Sequence, residues 1–338
     1  MKTLTRMLLL FAFVTPVLAD DAIRLGNDAW PPFILEGEAQ GTAEKLVCQA
    51  LIRAGRNCRV EVDDWDSVLD SARSGEIDGI AAAWRSAERE EFLLFSEPYL
   101  TNRIVPVVRT DFDRFITKAS DLDGMKVALV SNYAYGEEID QLGDGVTIVP
   151  AGSSRAALQA VLDGKADAAL VDELVARSRL EETGYDGLTA LKTVLAFRSL
   201  HFAVSRSNPE AQAILRDFHR SYKLMLSDGT VNEILKVDWL ATDFGQAGNV
   251  NVVMRKGLSL DDLSNPTDSD SVFALEESEY QAIRRPNTGS AQVQYQVEGK
   301  SYSKLQTALE DVFGKDIVCK HQNYTSTFDC SGLFNKSR

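Results

Sequence analysis

Along residues 22–243, short apolar runs bounded by glycine and aspartate alternate with stretches whose apolar residues recur at helical spacing, a pattern of strands and helices in turn. Ala22 to Gly26 reads as the first strand, and Asn27 to Phe33 as the loop at its carboxyl end, kept extended and stiff by Pro31 and Pro32. Glu44 to Ala54 is an amphipathic helix with Leu46, Val47, Ala50, Leu51 and Ala54 on one stripe and Gly55 as its stop. Arg59 to Val62 alternates as a strand, and Asp66 or Ser67 caps the next helix, where Trp65 reads as core or rim. Gly75 and the Asp78-Gly79 turn then lead into a small-residue strand, Ile80 to Trp84. A charged segment holding Arg85 and Arg89 follows, closing on Phe95-Ser96-Glu97-Pro98-Tyr99.

The second half of that pattern is echoed later. Val68-Leu69, Gly75, Asp78-Gly79 and Ile80-Ala81 are answered by Val161-Leu162, Gly164, Asp167-Ala168 and Ala169-Leu170, and the second strand runs out at Val171, Asp172 and Glu173. Each copy reads as a helix, a glycine C-cap and a buried strand, which predicts two similar α/β lobes. Open α/β sheets bind ligands at the carboxyl ends of their strands. The two strand ends therefore predict a cleft with Arg89 on one side and Asp172 on the other, the complement of a zwitterion. Arg103 to Arg109 reads as the first crossover between lobes and Ser199 to Arg206 as the return, a pair that permits hinge closure.

Between the crossovers lie strands Lys126 to Val130 and Val146 to Pro150, a segment Ser131 to Gly136 that opens a helix, and a helix to Leu162 capped by Ser153 or Ser154. Asp172 also stands where it would cap a helix from Glu173 to Leu180. After the return, Pro209 to Leu226 and Thr230 to Leu240 read as helices. The expected division is lobe 1 over residues 20–105 and 200–243, lobe 2 over 106–199, a linker over 244–270 with a short strand at Val250 to Met254, and a small α+β module over 271–338. In that module Gln292 to Val297 reads as a strand, Ser303 to Phe313 as a helix and Asp316 to Lys320 as a strand.

Composition narrows the function. Residues 1–19 combine Lys2 and Arg6, an apolar run from Met7 to Val14 and a small-residue site at Val17-Leu18-Ala19, the form of a secretory signal peptide cleaved after Ala19 and too short to be a retained span. No cysteine follows the apolar run, so no lipid anchor is expected. The formal charge is -14, and loss of the two cations Lys2 and Arg6 with the leader takes it to about -16. Such a surface repels phosphate backbones and anionic lipid, which argues against nucleic-acid and membrane-surface partners. The four cysteines form two close pairs, Cys48 with Cys58 and Cys319 with Cys330; in an oxidising compartment this predicts two local disulfides. Common hydrolase, zinc-protease and P-loop signatures are absent, and no cofactor or metal is implied.

The motif Glu88-Arg89 through Phe95-Ser96-Glu97-Pro98-Tyr99, the two Gly-x-x-Asp strands and the late Ser227-Asp228-Gly229 segment resemble solute-binding protein family 3, the polar amino-acid receptors of bacterial ABC importers. The resemblance covers roughly residues 21–243 and implies a two-lobe periplasmic binding protein of type II with an additional C-terminal module. It implies that Arg89 binds a ligand carboxylate bidentately, that Ser86 helps it, that Asp172 takes the ligand ammonium, and that Trp30 stacks on the ligand or packs the rim. The Cys48–Cys58 pair also matches a disulfide of some members. Several positions depart from the pattern. Trp84 stands where small or hydroxyl residues are usual and would either narrow the pocket or replace a polar contact with stacking, Ala43 and Lys45 replace acidic residues, and Asn132-Tyr133-Ala134 replaces a Gly-Thr-Thr type turn. Tyr133 or Tyr135 then either lines the cleft or packs in the core.

The expected function is periplasmic capture of a small polar ligand, an amino acid or related carboxylate, for an ABC permease or a membrane sensor, without catalysis. Two alternatives stand beside it. One is an enzyme on the same scaffold, like a secreted cyclohexadienyl dehydratase, with Glu173 as general acid. The other is a sensory or interaction receptor acting through the C-terminal module.

Overall fold

The computed structural model describes residues 22–143, 145–182, 184–242, 249–266, 272–275 and 292–321; the expected leader, residues 1–19, and Cys330 lie outside them. The first sheet runs β2-β1-β3-β10-β5-β8-β6-β7. Here β1 is Ile23–Asn27, β2 Cys58–Val62, β3 Gly79–Trp84, β4 Leu93–Phe95, β5 Leu100–Arg109, β6 Lys126–Val130, β7 Thr147–Ala151, β8 Ala168–Asp172, β9 Leu188–Ala190 and β10 Ala196–Ser205. β1 is parallel to β2 and β3, and β6 is parallel to β7 and β8, so each end of the sheet is a small α/β unit. The two ten-residue strands β5 and β10 pair antiparallel in the middle and join the units. These are the expected crossovers. The carboxyl ends of β1, β3, β6 and β8 all face the junction, and Ile104 of β5 lies opposite Asp172 while Leu200 of β10 lies opposite Trp84.

Local chemistry explains the elements. Helix α1 (Thr42–Arg53) buries Leu46, Val47, Ala50 and Leu51, and its Cys48 is bonded to Cys58 at the start of β2. Helix α2 (Trp65–Ser74) starts at Asp64, ahead of the expected caps, because Trp65 and Val68 must both reach the core; it stops at Gly75 in the left-handed conformation. Gly79 permits β3 to lie on β10, since a Cβ there would sit 2.1 Å from the Ala203 carbonyl oxygen. After α3 (Ala87–Glu90) and α4 (Glu137–Asp140), helix α5 (Ser154–Leu162) is capped by the Ser153 hydroxyl, which accepts from the Ala156 N–H at 3.2 Å. Helix α6 (Glu173–Leu180) is capped by Asp172, and α7 is Ala211–Ser227.

Two expected elements change type. The helix expected to Leu240 is α8 (Thr230–Leu235). Lys236 turns left-handed, the Val237 N–H returns to the Asn232 carbonyl at 3.0 Å, and Trp239–Thr242 becomes strand β11. This strand opens a second sheet, β13-β11-β12-β14-β15, with β12 Asn249–Met254, β13 Val272–Ala274, β14 Gln292–Val297 and β15 Lys300–Tyr302. Within the expected linker, residues 249–254 are thus a strand paired on both sides. The strand expected over residues 316–320 is helical: α9 (Leu305–Phe313) is followed directly by α10 (Lys315–Lys320), which packs Val318 into the second core. Cys319 is disulfide-bonded. Among the described residues no helix is long and apolar enough to cross a membrane.

Candidate functional site

The site grows from the carboxyl end of β3. Ser86 caps α3 by accepting from the Arg89 N–H at 3.3 Å, and this one-turn helix carries the Arg89 side chain back under the strand end. Arg89 is 4% exposed. Its Nη1 donates to the Trp84 carbonyl and its Nη2 to the Asn132 carbonyl of the other lobe, both at 2.6 Å, while the guanidinium lies 4.8 Å from the Trp65 ring centroid. Among the described residues no ion pair engages it. Burial lowers its pKa to about 10, against the opposing charges of Tyr133, Glu88 and Asp28.

Around the guanidinium stands an aromatic cage. Trp30 and Trp84 are buried and meet edge to face at 5.5 Å, and half-buried Tyr133 crosses from the second lobe to lie 6.0 Å from Trp30, 5.3 Å from Trp84 and 5.9 Å from Trp65. The Tyr133 hydroxyl donates to Asp28 Oδ2 at 2.6 Å. Asn27 fixes Asp28 from behind: its side chain accepts from the Ala82 N–H at 2.8 Å and donates to the Ala82 carbonyl at 3.2 Å, bridging β1 to β3. Burial raises the pKa of Asp28, opposed by the hydrogen bonds from Tyr133 and Asn27. Only about 10 Å³ remains between these side chains, whereas a cleft of about 800 Å³ opens beside Ser86, Arg89 and Tyr133.

The structure thus brings Arg89, Trp30, Trp84, Ser86 and Tyr133 together, and Tyr135 packs against Trp84 in the core at 5.4 Å. Asp172 sits one layer behind. Its Oδ1 accepts from the N–H groups of Leu174 and Val175 at 2.8 and 3.1 Å, and its Oδ2 from Asn102 Nδ2 and the Arg103 N–H at 3.0 and 3.1 Å. Asn102 in turn accepts from the Trp84 indole N–H at 2.7 Å, so Asp172 supports the cage wall through Asn102. Burial raises its pKa to about 6 despite those four donors. Glu173 is ion-paired with Arg103 at 2.6 Å and with Arg177 at 3.5 Å. Arg85 forms a surface ion pair with Glu90.

Sequence reasoning passed over Asp28, Asn102 and the parts played by Asn132 and Trp65. Asp28 had a signal, an acidic residue in the loop that carries Trp30; the others are defined by contacts between distant segments.

Residues 23–241 match the bacterial extracellular solute-binding proteins, family 3. The virulence sensor protein BvgS of Bordetella pertussis is 34% identical over 149 residues, which are 43% of this chain and 12% of the sensor's length. The L-cystine-binding protein TcyJ of Escherichia coli is 26% identical over 218 residues, 63% of this chain and 80% of that protein. Among solved structures, an ancestral arginine-binding protein bound to arginine superposes with a TM-score of 0.57 over 64% of this chain and 97% of its own, at 24% identity, a likeness of fold.

Proposed function

This chain belongs to the bacterial extracellular solute-binding proteins, family 3, and we propose that within it the protein is an exported receptor that captures a small carboxylate-bearing solute, an amino acid or a related acid, between its lobes. The observation that carries this reading is Arg89: a buried guanidinium at a strand end, beside an open cleft, whose hydrogen-bond acceptors among the described residues are neutral carbonyl oxygens. A cation so placed gains most from an anion that takes the place of a neutral acceptor. The cystine-binding relative supports a solute of this size. Export by cleavage after Ala19 and delivery to an ABC permease belong to the same reading, and the Cys48–Cys58 bond fits an oxidising compartment.

Thermal unfolding of the mature protein against amino acids and small carboxylates tests it. At a hundredfold excess over Kd a bound solute stabilises by about 2.7 kcal/mol, a rise of a few degrees in Tm. The shift is expected in wild type and lost in Arg89→Ala; a shift equal in both proteins would overturn the assignment of Arg89.

A second reading, delivery to a membrane sensor, draws on the sensor relative and on the second sheet, which continues from α8 without a break. Pull-down with the full chain against a chain lacking the second sheet separates the two, since a permease contact made by the lobes survives the deletion. The ion pairs of Glu173 with Arg103 and Arg177 count against its use as a general acid. Turnover of a bound solute that disappears in Glu173→Gln would reinstate the enzyme.

A further inference from the structure

Resting on the receptor reading above, we propose that the solute is a carboxylic acid carrying a flat ring with a hydrogen-bond donor at its far edge, and that the Asn132–Tyr133 segment is a built-in stand-in that this solute displaces. Two donors of the first lobe converge on the Asn132 carbonyl oxygen, Arg89 Nη2 at 2.6 Å and the Trp65 indole N–H at 3.2 Å. That convergence is the arrangement a carboxylate oxygen would receive. Asn132 adopts a left-handed conformation (φ 59°), one that asparagine tolerates, and its side chain donates to Asp66 Oδ1 at 2.8 Å, which anchors the turn.

From this carbonyl carbon the amide nitrogen, Cα and Cβ of Tyr133 lead to a ring held at its edges by Trp30, Trp65 and Trp84, and the hydroxyl ends on Asp28. The segment therefore spells out what the first lobe accepts: an acceptor at Arg89 and Trp65, a ring in the cage, a donor at Asp28. The wall is formed independently of Tyr133. Asn27 clamps Asp28 to β3, and the second Arg89 bond goes to Trp84. The space left in the cage is about 10 Å³, too little for a solute ring beside the phenol, so the two exclude each other. Asn132 and Tyr133 also border the cleft of about 800 Å³, which gives the displaced ring somewhere to go.

4-(4-Hydroxyphenyl)butanoate reproduces the spacing of the stand-in, and 4-phenylbutanoate lacks only its donor. Calorimetric titration of the full mature chain is expected to show the hydroxy acid binding about tenfold tighter to Tyr133→Phe than to wild type, because the variant's ring no longer holds Asp28. 4-Phenylbutanoate is expected to bind each protein about tenfold more weakly. Equal affinity of the hydroxy acid for both proteins, or binding to neither, overturns the proposal. A separate arm needs no carboxylate: p-cresol is expected to raise the Tm of Tyr133→Gly and leave wild type unmoved. No shift in a folded Tyr133→Gly overturns the stand-in; a shift without binding of either acid to any of the three proteins overturns the solute class and places the fault in the receptor reading. Where Tyr133→Gly does not fold, the comparison with Tyr133→Phe decides.

Discussion

Asp172 illustrates how a side chain's neighbours set its role. Four N–H groups point at its two oxygens, and Asn102 carries its influence to the Trp84 indole. Burial raises its pKa from 3.8 to about 6, so between those values the folded protein holds the proton more tightly than the unfolded chain. Its contribution to stability is full below about pH 4 and is lost as pH rises through about 6. The unfolding free energy of wild type minus that of Asp172→Asn is therefore expected to fall by on the order of 3 kcal/mol between pH 4 and pH 7 in urea titrations; a flat difference would refute the shift. Arg89 was legible from sequence because it follows a strand end that the apolar pattern marks, whereas Ser86, Trp30, Trp84 and Tyr133 were singled out through the resemblance to the family and the departures from it. Asp172 was legible as a position and as a helix cap, but spacing along a chain says nothing about how many donors a fold will aim at one carboxylate.

Elements were legible where one segment's own pattern decides them and obscure where a distant partner does. The run Lys126–Val130 and the helix Glu173–Leu180 have the bounds that their apolar spacing predicts. Trp239 and Leu240 continue a helical pattern on paper, yet Lys236 breaks it and the second sheet recruits Trp239–Thr242 as a strand. Likewise residues 316–320 alternate too briefly to separate strand from helix. Two tests belong here. Gly79→Ala drives a methyl into the Ala203 carbonyl between β3 and β10 and is expected to cost on the order of 3 kcal/mol, read as a fall in the urea midpoint. Replacing Cys48 and Cys58 together by serine frees a loop of ten residues and is expected to cost about 2–3 kcal/mol by the same measurement.

For the whole molecule, β11 has two allegiances. Leu240 points into the large core that also holds Leu46, Phe202 and Phe218, while Trp239 and Ala241 point into the core of the second sheet with Val252 and Leu309. Asn232 of α8 adds a hydrogen bond to the Val253 carbonyl at 2.9 Å. The resemblance to known receptors ends near residue 243, but the packing crosses that point. A chain ended at residue 248 is accordingly expected to bind a hydrophobic dye and to melt below the full protein, because it leaves Trp239 uncovered; an unchanged melting temperature would show the second sheet to be dispensable.

The place of β10 in the first sheet also bears on the order in which the protein is assembled. β3 has β1 on one side and β10 on the other, and β10 is reached only after the strands and helices of the other lobe have all been made. A chain emerging from its amino end can complete the second lobe's parallel unit while the first still lacks its central partner. The first lobe's exposed strand edge is then a time-limited hazard for pairing with other chains. Closing that edge late, with the strand that also joins the lobes, makes the cleft wait for the return of the chain from the second lobe.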